Sequence, residues 1–316
     1  MVIGGINMAS DTLKQILVKA DTELAGANGP VAPPDAVLEQ TLRDFIQIHS
    51  RTIAIATSLV GVRTVPWLEF KWYTGTQGEF TYPVDDAAIV DPTKIGTKSY
   101  TVQLAKGQGR VVFLDTTLLR GESWENMDRQ QMGIIQARAD LIDNKILTDL
   151  KAGAAVTVAA AGGGTWGGGS ADPEADVLNI LDGIFANGRV SGNEGVAFVI
   201  PANRRSILLN TQLFGNVIQS LQDHLEGVSG GTTFAYTRDY GTGALGSDAL
   251  ALIPGAGTAE FFEYNGPGFQ ETELTRLPGV GWDWLLTSYF GSIVHQHQDG
   301  AASGTTYRIA EITGVN

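Results

Sequence analysis

The sequence predicts an α+β fold, and three observations carry that prediction. Residues 118–153, "LLRGESWENMDRQQMGIIQARADLIDNKILTDLKAG", contain no proline and repeat apolar side chains at helical spacing. Residues 65–115 alternate instead, with aromatic side chains two apart beside glycine-bearing turns. Past residue 173 a helical pattern gives way to short strands, which dominate the end of the chain.

The chain opens with an arm. Leu13, Ile16, Leu17, Ala20 and Leu24 step by three and four, which makes a short amphipathic helix. "GANGPVAPPD" breaks it, and a second helical stretch then puts Leu38, Leu42 and Phe45 on one face. Two short helices split by a proline-rich linker have too little core to fold as a unit. They need a neighbouring surface.

The next segment reads as a long two-stranded excursion. "WLEFKWYTGTQGEFTYPV" places Trp67 two residues before Glu69 and Phe70 two before Trp72, and a "TGTQG" turn leads to Phe80 and Tyr82. "KSYTVQLAKGQGRVVFLD" repeats the device, with Tyr100, Val102 and Leu104 alternating before a "KGQG" turn. The polar "DDAAIVDPTKIG" between them makes the tip. An isolated hairpin is marginal in water, so this one also requires a partner surface. Trp67, Phe70, Trp72, Phe80 and Tyr82 carry more aromatic surface than a free hairpin can shield, which makes them candidate subunit contacts.

The long helix has two apolar rows: Trp124, Met127, Ile134 and Leu141, and beside them Ile135, Ile142, Ile146 and Leu150. Glu122 and Glu125 suit the positive end of its dipole, and Lys151 followed by Gly153 marks its stop. Gly133 costs about 1 kcal/mol relative to alanine. Gln131 and Arg138 interrupt the stripe, so one side is expected to be only partly buried. From Ser123 to Ala152 the helix is about 45 Å long at ~1.5 Å per residue. That nearly spans a compact globule of this chain length, about 50 Å across. A bundle would need equally long neighbours, and the rest of the sequence supplies none.

"AAAGGGTWGGGSADPEAD" follows. No GK[ST] succeeds it and no clear strand precedes it, so it reads as a solvent-facing loop with no ligand role. "DVLNILDGIFANG" is a helix closed by Gly188, and "EGVAFVIPANRRSILLN" is a buried strand running into a helix. "GVSGGTT" and "YGTGALGSD" are loops, and "ALALIPGAGTAEFFEY" gives two short strands around a turn. "GWDWLLTSYFGSIVHQHQDGAASGTTYRIAEI" closes the chain as antiparallel strands.

Composition narrows the function classes. The 316 residues are 43% apolar, enough for one large domain or two of ordinary size. No run approaches ~18 consecutive apolar residues, and the first residues lack the basic start and apolar core of a signal peptide. There is no cysteine, hence no disulfide and no thiolate chemistry. Net charge is −13, with 6 Lys/Arg against 16 Asp/Glu in residues 152–316, and no segment has the basic excess of a direct nucleic-acid binder.

Candidates for chemistry are few. His295 and His297 share a strand face, but without a third ligand they read as exposed strand residues. Asp85 and Asp86 belong to a turn, and Asp143 through Asp149 to a solvated helix face. Trp282 and Trp284 are strand core, because no basic residue interleaves with them. No G-x-S-x-G motif occurs. No catalytic, cofactor-binding or metal-binding residue is assigned, and the chain is not read as an enzyme.

Two stretches are informative together: "YTVQLAKGQGRVVFLDTTLLRGESWENMDRQQMGIIQARADLIDNKIL", where strands enter the long helix, and "DVLNILDGIFANGRVSGNEGVAFVIPANRRSILL", a helix–strand–helix unit. With the segment order they resemble the major capsid proteins of tailed bacteriophages and archaeal tailed viruses, whose Hong Kong 97-type fold is shared with encapsulins. The resemblance implies an N-terminal arm (1–64), an extended β-hairpin loop (65–115), and a peripheral domain with spine helix and glycine-rich loop (116–173). It further implies an axial domain (174–265) and closing strands that are mainly peripheral (266–316).

The function it implies is structural. Subunits would self-assemble through hexamers and pentamers, in the host cytoplasm, into the icosahedral capsid of a virion enclosing double-stranded DNA. Partners would be further copies of the chain with separate scaffolding, portal and decoration proteins; no cofactor and no membrane are implied. Some relatives weld subunits by a lysine–asparagine bond; Lys94 and Lys98 lie in the matching region, and the sequence identifies no asparagine partner. The alternatives are an encapsulin-type compartment around a cargo protein and, more remotely, an enzyme with a glycine-rich active-site loop.

Overall fold

The computed structural model describes residues 54–75, 97–114, 123–160, 165–166, 172–187, 194–214, 217–228, 231–237, 244–267, 269, 272–278, 280–295 and 304–315. The helices expected in the arm and the hairpin tip, with Phe80, Tyr82, Asp85, Asp86 and Lys94, lie outside these residues.

A 3-10 turn at Ala56–Ser58 precedes β1 (Val60–Val65), β2 (Glu69–Gly75), β3 (Thr97–Gln103) and β4 (Ala105–Leu114). Then come α1 (Ser123–Ala152), β5 (Ala154–Ala159), α2 (Pro173–Asn187) and β6 (Ala197–Ile200). The short α3 (Arg205–Leu208) leads to β7 (Thr211–Phe214), β8 (Val217–Ser220), α4 (Leu221–Val228) and β9 (Thr233–Tyr236). Strands β10 (Ala249–Leu252), β11 (Gly255–Tyr264), β12 (Thr272–Leu277), β13 (Gly281–Val294) and β14 (Thr306–Thr313) complete the chain.

The long helix is α1, 30 residues, and its ends fall where periodicity and capping put them. Gly153 closes it by donating its N–H to the carbonyls of Asp149 (2.9 Å) and Leu150 (3.1 Å). A Cβ at Gly153 would come within 2.8 Å of Val294, so only glycine lets the chain pass between helix and sheet. Of the two apolar rows, Ile135, Ile142, Ile146 and Leu150 are fully buried. Leu141, on the other row, is 52% exposed, while Ile134 of that row is half-buried. Arg138, expected to mark a partly buried side, is itself buried.

Two five-stranded sheets flank α1. In the first, β1 lies parallel to β11, while β13 runs antiparallel to β11, β12 and β4. The second has the order β5-β14-β10-β6-β9, parallel at both edges and antiparallel within. Strand β11 therefore pairs with the long β13, and β14 crosses to the sheet that holds β10 and β6.

Strand period two builds both cores. On β6, Ala197 and Val199 join α1, while Phe198 and Ile200 join α2. Leu250 and Leu252 of β10 follow the first pair, Ala249 and Ala251 the second. Both strands are buried on two faces, which explains their unbroken apolar runs.

"KGQG" is not a turn, as the alternation suggested. Strand β4 runs straight through it, with Lys106, Gly107, Gln108 and Gly109 opposite Tyr289, Ser288, Thr287 and Leu286. The glycines serve close approach instead. A Cβ at Gly109 would stand 3.0 Å from Ile134, so the missing side chain lets α1 settle on the sheet.

Candidate assembly surface at the hairpin base

Strands β2 and β3 form their own ladder, from Glu69 opposite Gln103 to Gly75 opposite Thr97. Leu104 joins β3 to β4 and donates its N–H to the Leu68 carbonyl at 2.9 Å, closing the base of the hairpin. Alternation then sorts the side chains of β2. Phe70 and Trp72 turn toward the first sheet: Phe70 meets Phe262 edge-on at 5.0 Å, and Trp72 lies 5.6 Å from the same ring. Val102, Leu104 and Phe262 form the buried centre of this small core.

Glu69, Lys71 and Tyr73 face outward. Trp67 is 61% exposed and Tyr73 62%, with Leu68 exposed between them in sequence. The five candidate contact residues thus separate. Trp67 is open to a partner, Phe70 and Trp72 are half-buried against their own chain, and Phe80 and Tyr82 lie outside the described residues. Tyr73 was missed, although strand parity gives it away: a residue next to an inward Trp72 must point out.

A polar cluster lies beneath Trp72. The Arg63 guanidinium sits 5.2 Å over the Trp72 ring and pairs with Glu260 at 2.8 Å. Burial pushes the Glu260 carboxyl above its ordinary range, and the charge and hydrogen bond of Arg63 only partly offset this. His295 is buried, which corrects the expectation of an exposed strand residue, and His297 lies outside the described residues; the His295 ring packs 5.7 Å from that of Trp72.

The acidic face expected on α1 is also engaged. Asp143 accepts the N–H groups of Ile55 (3.1 Å) and Ala56 (2.7 Å), pinning the chain after the arm to the helix. Asp149 accepts from Lys145 at 2.9 Å and from the Ser292 hydroxyl. Arg138 crosses to Glu263 at 3.3 Å, with both side chains buried.

At the end of α1, Lys151 pairs with Asp248 (2.5 Å) and Glu311 (3.3 Å). Burial would raise the Asp248 carboxyl, but the hydrogen bond of Lys151, the Gly314 N–H, the Lys151 charge and Ser247 together hold it below its ordinary range. Glu311 is pushed up, by burial first, and Lys151 does not cancel that shift.

The glycine-rich segment departs furthest from expectation. Trp166 is 0% exposed, its indole Nε1–H donates to Asp176 at 2.8 Å, and its backbone N–H donates to the Val315 carbonyl at 3.0 Å. It packs among Val177, Ile180, Phe198 and Ile312. Trp166 thus anchors the chain at this point, because a buried indole with its N–H bonded gains more from burial than its ordering costs.

Little else is arranged for chemistry. Among the described residues no three His, Cys, Asp or Glu side chains gather as a metal site. A cavity beside Asp140, Asp143 and Asn144 measures about 30 Å³, room for a water or two. No described helix is long and apolar enough to cross a membrane.

No protein-family profile matches this sequence, and no curated protein matches it. Its fold does match solved structures. A virus-like particle from Pyrococcus furiosus aligns with TM-score 0.55 and 10% identity, over 86% of this chain and 98% of that one. The capsid of Myoviridae phage XM1 aligns at 0.54 and 16% identity, over 82% and 91%. A structure from Mycobacterium phage Adephagia aligns at 0.57 and 9% identity, over 82% and 89%. The chain has the Hong Kong 97-type fold of capsid proteins.

Proposed function

We propose that this chain is a structural subunit that self-assembles through hexamers and pentamers into an icosahedral viral shell around double-stranded DNA, and not an enzyme. One observation carries the reading: more than four-fifths of the chain superposes on nearly the whole of the XM1 capsid chain and of the virus-like-particle chain. The match is to whole subunits, not to a shared module. The net charge of −13 agrees with a wall that does not grip packaged DNA, since binding to phosphates needs Lys and Arg. Separate scaffolding, portal and decoration proteins belong to the same proposal, as does residence in the virion.

The exposed Trp67 and Tyr73 fit a docking role toward a second copy. An aromatic side chain buried at an interface is worth roughly 1.5–3 kcal/mol, and in the isolated subunit both rings remain in water. Replacing both with serine should leave the circular dichroism of the subunit unchanged and weaken assembly, read as a shift from large particles to free subunits by light scattering. Loss of folding would assign these rings to the intrachain core. Normal assembly would remove them from the interface.

A shell around protein cargo is the second reading, and the likeness to a virus-like particle favours considering it. Nuclease-protected DNA in purified particles supports the viral reading; a co-purifying enzyme in place of DNA supports the other.

A further inference from the structure

The end of α1 brings one cation to two carboxylates. Lys151 Nζ donates to Asp248 Oδ2 at 2.5 Å, to the Leu245 carbonyl at 3.2 Å and to Glu311 Oε1 at 3.3 Å. Its three protons are thereby used, and Asp248 has the shortest of the three contacts. Asp248 Oδ1 meanwhile accepts the Gly314 N–H at 2.8 Å and the Ser247 hydroxyl at 3.1 Å. Glu311 is left with the longest share of a single lysine, on a side chain only 13% exposed. Among the described residues, two negative groups therefore face one positive group in a half-buried site.

We propose that Glu311 takes up a proton in mildly acidic solution and thereby tightens the joint between α1 and the second sheet. Three segments meet at this joint: the last turn of α1, the lead-in to β10 with Asp248, and β14 with the turn that holds Gly314. The described charged groups that face Glu311 are Lys151 from α1 and Asp248 from the lead-in. Its ladder neighbours are Leu250 on β10 and Thr157 on β5, neither of them charged.

Burial first lifts the Glu311 carboxyl above its ordinary range; the hydrogen bond and charge of Lys151 oppose this, and the Asp248 charge adds to it. A carboxyl raised by folding binds its proton more tightly in the folded subunit. Its contribution to stability therefore grows as pH falls through the folded value, and is complete below the unfolded one, near ~4.3. Once protonated, Glu311 donates to Asp248, the neighbour within its reach. Asp248 has the opposite sign: it is held below its ordinary range, so its contribution is lost only in stronger acid. Burial would lower Lys151, but its bonds to Asp248 and Glu311 keep it above its ordinary range and charged throughout. Acid thus removes the surplus negative charge before it opens the Lys151–Asp248 pair. This inference concerns one subunit and does not rest on the shell reading.

Hydrogen exchange across 244–252 and 306–315, which include the Gly314 amide that Asp248 holds, tests it. Rates are corrected for their intrinsic pH dependence, compared in one oligomeric form, and referred to residues 69–75 of the hairpin. Relative protection of the joint should rise about two- to fivefold from neutral pH to the ordinary glutamate range, the size of one partly exposed charge interaction. Glu311→Gln should show the acid level already at neutral pH and no further rise. Asp248→Asn should lose the rise as well, because Lys151 is then left to Glu311 alone and no charge is in surplus. A wild-type ratio that does not change with pH overturns the proposal, and so does a rise that persists undiminished in either variant. Lower protection in Glu311→Gln than in wild type at neutral pH overturns it equally, since the Glu311 charge would then be holding the joint closed.

Discussion

Trp166→Ala is expected to lower the stability of the subunit by about 3–5 kcal/mol, the cost of emptying a large aromatic site in a packed core. Two attachments are lost together. The ring leaves a cavity among Val177, Ile180 and Phe198, and Asp176 loses its indole donor deep in the core, while the backbone bond to Val315 keeps its donor. Trp166→Phe separates them, because it keeps most of the packing and removes only the donor; about 1–2 kcal/mol is expected there. Urea unfolding followed by circular dichroism reads both. A Trp166→Ala subunit within ~0.5 kcal/mol of wild type, the range of ordinary surface changes, would return the segment to what its glycines alone suggest, an unattached surface loop.

Arg138→Leu should be as damaging, for a different reason. Arg138 and Glu263 are both buried between α1 and the first sheet, 3.3 Å apart, with Ser288 at 3.4 Å from the Arg138 Nε. Removing one member of such a pair leaves a charge in a low-dielectric site, which costs about 3–5 kcal/mol. Removing both does not. Arg138→Leu combined with Glu263→Leu should recover most of the loss and could equal wild type, since a buried ion pair adds little over apolar packing. If the double variant is as unstable as the sum of the singles, the pair is not coupled and the cost lies in shape.

These two sites also show what a sequence can and cannot reveal. The bounds of α1 were legible because helical periodicity and capping are local, and thirty residues repeat the signal. The buried strands β6 and β10 were legible for the same reason, as unbroken apolar runs. Arg138 was visible only as an interruption, because its partner lies 125 residues away on a strand that any register shift would have turned over. Trp166 was hidden by its neighbours: six flanking glycines signal flexibility, and no local pattern states that the ring between them finds a cavity. "KGQG" misled for a related reason, since glycine serves turns and close approach alike.

At the hairpin base, alternation was read well enough to put Phe70 and Trp72 on one face. It was not carried one residue further to Tyr73, and it could not say that the inward pair rests on Phe262 of the same chain. Which partner covers an aromatic face is a tertiary fact. The segment order carried the rest of the resemblance, because an arm, an excursion and one overlong helix in that sequence are an unusual combination for a single chain.

Electron microscopy of the purified protein tests most directly the proposal that this chain builds a closed shell. Hollow or filled particles of uniform size, with icosahedral averages that resolve into hexamers and pentamers of a 33.5 kDa subunit, are the expected result. A monodisperse population of single subunits, persisting at high protein concentration with no particles in the field, would contradict it.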